Sequence, residues 1–233
     1  MKLGLIADPH YSSAALTCGK RYNSASLVKL EKALRRFEEN NCDLVIILGD
    51  VTDTEDTHEL EAENVKKVSA LLSASPLKTL CVMGNHDAFV FTEEEFYDLI
   101  GQEHQPALIE QDGCNLLFID ACYSVSGKHY EPGHGDWTDT FYPHTDDLKN
   151  TLARLTGNTY IFMHQNIDAE IREDHRLANA AQIREILEES GKVRAVYQGH
   201  YHPGHSSTLN QIRYTTLAAM CENEDSSMIV ELP

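Results

Sequence analysis

The chain has 233 residues, 42% hydrophobic and 24% charged, a globular composition long enough for a sizeable core and too apolar for disorder throughout. Nineteen Lys and Arg stand against 37 Asp and Glu, a formal charge of −18. A surface of that sign repels polyanions and anionic lipid, which excludes polymeric nucleic acid and membranes as partners but admits a small phosphate compound, because a bound cation inverts the local field.

No stretch reaches the roughly 20 apolar residues of a membrane span, and residues 1–8 are apolar too briefly for a signal peptide. Cys18, Cys42, Cys81, Cys114, Cys122 and Cys221 form no CxxC pattern. They read as reduced, mostly buried thiols of a cytoplasmic protein.

In chain order, residues 3–7 read as a strand. Residues 24–40 place Leu27, Leu30, Ala33, Leu34 and Phe37 on one helical face, with Ser24 or Ser26 as N-cap. Residues 43–48 are apolar almost throughout, which predicts a strand buried on both faces. A helix over 58–74 leads to a strand over 77–83, and Thr92-Glu93-Glu94-Glu95 has the form of a capping box opening a helix to Ile100. Further strands are expected over 114–120, 160–163 and 193–198, and helices over 146–155 and 177–189. The alternation then stops, and 211–219 and 227–232 read as consecutive strands without a helix. Alternating β and α followed by paired strands predicts an α/β sandwich with mixed sheets. No repeat or linker interrupts the pattern, so one domain is expected over 1–233. Residues 123–144 hold Gly127, Pro132, Gly133, Gly135 and Pro143 among Tyr130, Trp137, Phe141 and Tyr142. That composition predicts a long ordered loop, placed to act as a lid.

The strand ends carry the chemistry. They close with Asp8-Pro9-His10, Gly49-Asp50-Val51-Thr52-Asp53, Gly84-Asn85-His86-Asp87, His164, and Gly199-His200-Tyr201-His202. Carboxyl ends of strands form the ligand crevice of α/β sheets, so five polar clusters are expected to converge. Alternate residues of an extended segment point the same way, which aims Asp8 with His10 and His200 with His202 at one site. Glycines ahead of Asp50, Asn85 and His200 permit sharp exits and close approach. The donor set is carboxylate, imidazole and amide oxygen without thiolate, which suits manganese, iron or zinc. Each cluster alone has an ordinary reading: Asp-x-His arises by chance, Gly-Asp is turn chemistry, and His164 alone reads as a hydrogen-bonded core histidine. Their joint occurrence, each closing an apolar run, is what points to a metal site.

These five blocks resemble the signature of the calcineurin-like metallophosphoesterases: D-x-H, GDxxD, GNH[DE], a lone His and GHxH, over residues 8 to 202. The resemblance implies a four-layer αββα sandwich of two mixed β-sheets flanked by helices. It implies two divalent or trivalent metal ions (Mn, Fe or Zn). One would be held by Asp8, His10, Asp50 and His202, the other by Asp50, Asn85, His164 and His200, with Asp50 bridging. The reaction it implies is phosphohydrolysis of an ester or pyrophosphate bond by attack of a metal-bridging hydroxide. His86 would contact a phosphate oxygen or protonate the leaving group, and Asp53 would pair with His86.

A narrower resemblance is to the manganese-dependent ADP-ribose/CDP-alcohol diphosphatases. It rests on Gly19-Lys20-Arg21-Tyr22-Asn23-Ser24-Ala25-Ser26-Leu27 and on Leu177-Ala178-Asn179, while Pro203-Gly204-His205 departs from that group's form. It implies a phosphodiesterase or nucleotide diphosphatase acting on a small, nucleotide-like substrate. The aromatic loop over 123–144 separately suggests Trp137 stacking on a base or sugar, and Arg21, if it reaches the site, can take a second phosphate. The ordinary readings are that Trp137, Phe141 and Tyr142 pin the loop to the core and that Arg21 is a surface residue. The rivals are a phosphomonoesterase of the same fold and a non-catalytic metal-binding scaffold; the intact donor set and His86 argue against the scaffold. Glu55-x-x-His58 and Glu131-x-x-His134 match a di-iron spacing, but that chemistry needs long facing helices, and Pro132-Gly133 breaks the second.

Overall fold

Strands whose residues are apolar on both faces must be covered on both faces, and two such sheets solve the problem by covering one another. The computed structural model describes residues 1–105 and 107–233 and has that arrangement. The first sheet contains β1 (Lys2–Ile6), β2 (Leu44–Leu48), β3 (Thr79–Val82) and β10 (Met228–Glu231) in the order β10-β1-β2-β3. The second contains β4 (Leu108–Gln111), β5 (Cys114–Ile119), β6 (Asn158–Met163), β7 (Val193–Gln198), β8 (His205–Leu209) and β9 (Ile212–Thr216) in the order β4-β5-β6-β7-β9-β8. β1, β2 and β3 are parallel, as are β5, β6, β7 and β9; β10, β4 and β8 join antiparallel, so both sheets are mixed.

The period of two assigns each side chain to a layer. Leu3, Leu5, Leu44, Ile46 and Leu48 face the second sheet, where Leu116, Phe118, Tyr160, Phe162 and Tyr197 meet them. Phe162 stacks between Phe118 and Tyr197, with ring centroids 5.3 and 5.4 Å away. Ile6, Val45 and Ile47 face outward onto α1 (Ser26–Glu39), α2 (His58–Ala74) and α4 (Glu93–Ile100) through Leu30, Phe37, Val68 and Phe96. On the far side, Ile161, Met163 and Val196 pack on α5 (Thr145–Arg154) and α6 (Ala180–Ser190) through Leu148, Leu152, Ile183 and Leu187. The result is the expected α/β four-layer αββα sandwich.

Four local expectations need correction. Neither Ser24 nor Ser26 caps α1: a 3-10 turn over Asn23–Ala25 precedes it, Ala25 occupies the cap position, and the Ser26 hydroxyl is buried without a partner among the described residues. α6 begins at Ala180, because Asn179 is spent on holding the backbone of Tyr142, accepting at 3.1 Å and donating at 2.8 Å. The two strands near the C-terminal end do not pair: β9 pairs with β7 and β8, whereas β10 crosses to β1 of the other sheet. The capping box of α4 is half formed, with Thr92 Oγ1 accepting from Glu95 N at 3.3 Å. The short helix α3 (Asn85–Val90) and the strands β4 and β8 have no counterpart among the expected elements. All six cysteines are free, with Cys18 alone exposed. Among the described residues no helix is long and apolar enough to cross a membrane.

The segment 123–144 is ordered by its own side chains. Tyr130 is buried in the core beneath it and donates its hydroxyl to the carbonyls of Asp136 (2.6 Å) and Asp139 (3.0 Å). Gly133 N donates to Phe89 O, and Ala178 N to Thr140 O. Tyr130→Phe leaves two carbonyls without their donor, and a loss of about 1–3 kcal/mol in stability is expected, read as a lowered Tm. Limited proteolysis should then cut between residues 131 and 140 faster than in the wild type.

Candidate active site

The turns leaving β1, β2, β3, β6 and β7 meet at one end of the sandwich, and main-chain bonds lock them together: His10 N donates to Asp50 O (2.9 Å) and Gly199 N to His164 O (3.0 Å). The approach is closer than ordinary residues allow. A Cβ on Gly84 would lie 2.2 Å from Asp50 Oδ1, and one on Gly49, at φ +81°, would lie 2.6 Å from His164 Nδ1. Asp8, His10, Asp50 and His200 themselves sit at φ +52°, +43°, +51° and +66°. Each left-handed non-glycine residue costs about 1–3 kcal/mol and persists only where its surroundings over-determine it.

The structure brings all seven expected donors into one buried cluster. His10 Nε2 and His202 Nε2 stand 3.2 Å apart, with Asp8 Oδ1 at 3.9 and 3.7 Å from them. His164 Nε2 lies 3.1 Å from Asn85 Oδ1. Asp50 Oδ2 lies between the two halves, 3.4 Å from His10 Nε2 and 3.3 Å from His164 Nε2. The other oxygen of Asp50 accepts from His86 N at 2.9 Å, and Asp8 accepts from His200 N at 3.1 Å.

Hydrogen bonds behind the rings set the tautomers. His164 Nδ1 faces Leu48 O at 2.7 Å and His202 Nδ1 faces Glu222 Oε1 at 2.5 Å, so in the neutral ring each Nε2 carries its lone pair toward the cluster. His10 Nε2, 3.2 Å from His202 Nε2, can donate an N–H to the His202 lone pair or, as the Nδ1–H tautomer, turn its own lone pair into the cluster. A ring lone pair facing a carboxylate, as at His164 and Asp50, is relieved by a positive charge between the two. The protonation balance agrees. Burial lowers the pKa of His164, but Asp50, Asp8 and the Leu48 carbonyl outweigh it and raise it to about 10. Burial drives His10 down to about 3, leaving a neutral imidazole. Burial also lifts Asp8 to about 8, with Asp50 adding to the rise and His164 opposing it, so two adjacent carboxylates need added positive charge to ionise together. His200 Nε2 is buried without a hydrogen-bond partner among the described residues. The donor atoms of Asp50, His164 and His200 lie within 4.8 Å of one another, as do those of His10, Asp50 and His86, and of His10, His202 and Cys221. An orphaned nitrogen, ring nitrogens facing carboxylate oxygens and paired carboxylates fit cations.

Asp53 is a hub. Its carboxylate accepts from Thr17 Oγ1 (2.7 Å), Asn23 Nδ2 (2.7 Å) and Arg21 Nη1 (3.0 Å). Burial would raise its pKa, but His10, Thr17 and Arg21 hold it well below the carboxylate range. His86 Nδ1 is 3.5 Å from Asp53 Oδ1 and His10 Nδ1 is 3.6 Å from it, electrostatic contacts too long for hydrogen bonds. Arg21 therefore reaches the site already engaged by Asp53.

A cleft of about 300 Å³ opens over the cluster, lined by Lys20, Arg21, His86, Trp137, Arg172 and His175 among others. Trp137, at 44% exposure, does not pin its loop. Its ring lies 4.9 Å from His175 and 6.0 Å from His200. Sequence reasoning missed Arg172, His175 and Glu222, which come from turns with no motif of their own, and Tyr201, the unassigned position inside the Gly199–His202 block.

Behind the loop that follows His10, Glu55 accepts from the Ser13 amide and hydroxyl and from Asn64, while Glu61 accepts from Glu55 N at 2.8 Å. Burial, with the Glu55 and Asp53 carboxylates behind it, lifts Glu61 to about 7 against the pull of that N–H. A raised folded pKa contributes stability that is full below the ordinary value of 4.5 and lost as pH rises through about 7. Glu61→Gln keeps the acceptor and removes the titration. The Tm advantage of Glu61→Gln over wild type should grow between about pH 5 and about pH 8; a constant difference would refute the assignment.

A family model described as calcineurin-like phosphoesterase matches residues 1–204. No curated protein matches the chain. Among solved structures, a dimetal phosphatase from Danio rerio superposes with TM-score 0.81 at 19% identity, covering 95% of this chain and 88% of that one. The Phosphopantetheinyl Hydrolase of Mycobacterium tuberculosis gives TM-score 0.54 at 13% identity over 95% and 90% of the two chains. GAP50, the anchor in the inner membrane complex of Plasmodium, gives 0.62 at 12% identity over 94% and 72%. At these identities the superpositions speak for the fold alone. The family match spans all five motif blocks that build the buried cluster, and the chain belongs to the calcineurin-like phosphoesterases.

Proposed function

We propose that this chain is a dinuclear-metal phosphohydrolase that cleaves a phosphodiester or pyrophosphate bond in a small, nucleotide-like substrate. The observation that carries the reading is the place of Asp50 Oδ2, within 3.4 Å of His10 Nε2 and 3.3 Å of His164 Nε2: one carboxylate oxygen serves two half-sites. Asp8, His10, Asp50 and His202 would hold one ion, and Asp50, Asn85, His164 and His200 the other, with manganese, iron or zinc suited to the donors. When bound, such a pair supplies Lewis acidity to the phosphoryl group and lowers the pKa of a coordinated water toward neutrality.

The remaining work falls to the protein. His86, partly exposed at the cleft, is the group that donates a proton to the leaving oxygen or steadies a phosphate oxygen. Asp53 orients it electrostatically, and Thr17, Asn23 and Arg21 fix Asp53. Lys20, Arg21 and Arg172 line the cleft, each held by a carboxylate, respectively Glu222, Asp53 and Asp174. A substrate with a second anionic group can be met by a cation that turns from its carboxylate. The scaffold alternative is disfavoured by the full donor set and by His86 facing the cleft.

With two ions bound as judged by elemental analysis, His86→Ala should keep both and lose about 10²–10⁴-fold in kcat. The loss should be smaller for p-nitrophenyl esters than for alkyl esters if His86 protonates the leaving group. A variant that loses its metals instead would make His86 a ligand.

Substrate class is tested separately, by kcat/KM for a nucleoside diphosphate ester against a simple alkyl phosphomonoester. The diester should win in wild type, and Trp137→Ala should erase most of the advantage, a stacked base being worth roughly 1–3 kcal/mol. A wild-type preference for the monoester would establish the phosphomonoesterase instead.

A further inference from the structure

The family match ends at residue 204, yet the chain beyond β9 returns to the site. Ala219 N donates to His202 O (3.0 Å), Met220 N to Ala7 O (3.0 Å) and Cys221 N to Asp8 O (3.2 Å). This segment is thus laced to the backbones of both turns that frame one half of the cluster, those of Asp8 and His202. The turn closed by Glu222 N on Ala219 O then places Glu222 Oε1 against His202 Nδ1. The same oxygen is 3.1 Å from the Lys20 ammonium, which lines the cleft at 59% side-chain exposure.

We propose that Glu222 is a positioning residue for one metal ion only, fixing His202 with Nε2 toward the ion, and that Lys20, parked on its outer face, is a cation that meets the substrate. The first part rests on the reading of His202 as a ligand. A carboxylate behind a ligating imidazole fixes its tautomer and ring plane and makes the other nitrogen a better donor. In the other half-site His164 is backed by the Leu48 carbonyl, and among the described residues no carboxylate is hydrogen-bonded behind the His200 ring, so the two half-sites differ in what stands behind their histidines. Lys20 is exposed, and an ion pair screened by solvent holds it only weakly to Glu222. It can turn from Glu222 to a phosphate oxygen at little cost.

The test is titration of the metal-stripped protein with Mn²⁺ by calorimetry. Wild type should take two ions; one ion or none overturns the dinuclear reading itself and is distinct from failure of this proposal. Glu222→Gln offers an amide that can present N–H to His202 Nδ1 and so favour the wrong tautomer. It should weaken one ion by about 10–100-fold and leave the other unchanged. Glu222→Asp, which keeps the charge with shorter reach, should recover part of the loss and serves in place of Glu222→Gln if that variant does not fold. Lys20→Met should hold both metal affinities within about fivefold, the ceiling set by a weak, solvent-screened pair, and raise KM for the nucleoside diphosphate ester with kcat little changed. Two ions bound as tightly by Glu222→Gln as by wild type, or both weakened alike, would overturn the role of Glu222. An unchanged KM in Lys20→Met would overturn that of Lys20.

Discussion

Two buried carboxylates, Asp8 and Asp50, are packed with four imidazoles at the floor of the cleft, and that charge problem governs the rest of the molecule. Solvent does not reach Asp8, which is fully buried. The electrostatics push Asp8 toward its neutral form and His164 toward its charged form. Cations between the carboxylates and the unprotonated ring nitrogens remove both tensions at once. The left-handed backbone at Asp8, His10, Asp50 and His200 is the geometric counterpart: the turns bend against local preference so that donors from two sheets aim at one point.

Much of this was legible in the sequence because each donor closes an apolar run. A strand end is visible as a change from Val, Ile and Leu to Gly, Asp, Asn and His, and parallel strands bring such ends together. Asp8, His10, Asp50, Asn85, His164, His200 and His202 could be named from that pattern together with the family resemblance, and the structure gathers them. The layers were equally readable: β2 is apolar on every residue, and it is covered on both faces.

What the sequence hid depends on long-range placement. Glu222 is one acidic residue among 37 Asp and Glu, and only a return of the chain to β1 gives it a histidine to face. β8 alternates without an apolar face, since its residues are mostly exposed at a sheet edge, so no periodic signal marks it. Arg21 was legible as a cation near the site, but its capture by Asp53 depends on Thr17 and Asn23 folding the preceding loop beneath it. The loop at 123–144 looked aromatic for a reason, although Tyr130 rather than Trp137 is what ties it down.

The pairing of β1 with β10 matters for how the chain reaches this state. Leu3 pairs with Val230, so the strand that delivers Asp8 and His10 has its second neighbour at the opposite end of the described chain. During synthesis β1 can find β2 early, but its other edge stays open until residues 228–231 have emerged from the ribosome. An unpaired apolar edge invites non-native pairing with other chains, and contacts of such long sequence separation form slowly. The segment that closes the edge also follows the one that docks on Asp8 and His202. Closure of the first sheet's edge and the docking of residues 219–221 on the turns of Asp8 and His202 therefore both wait on the same late stretch of chain.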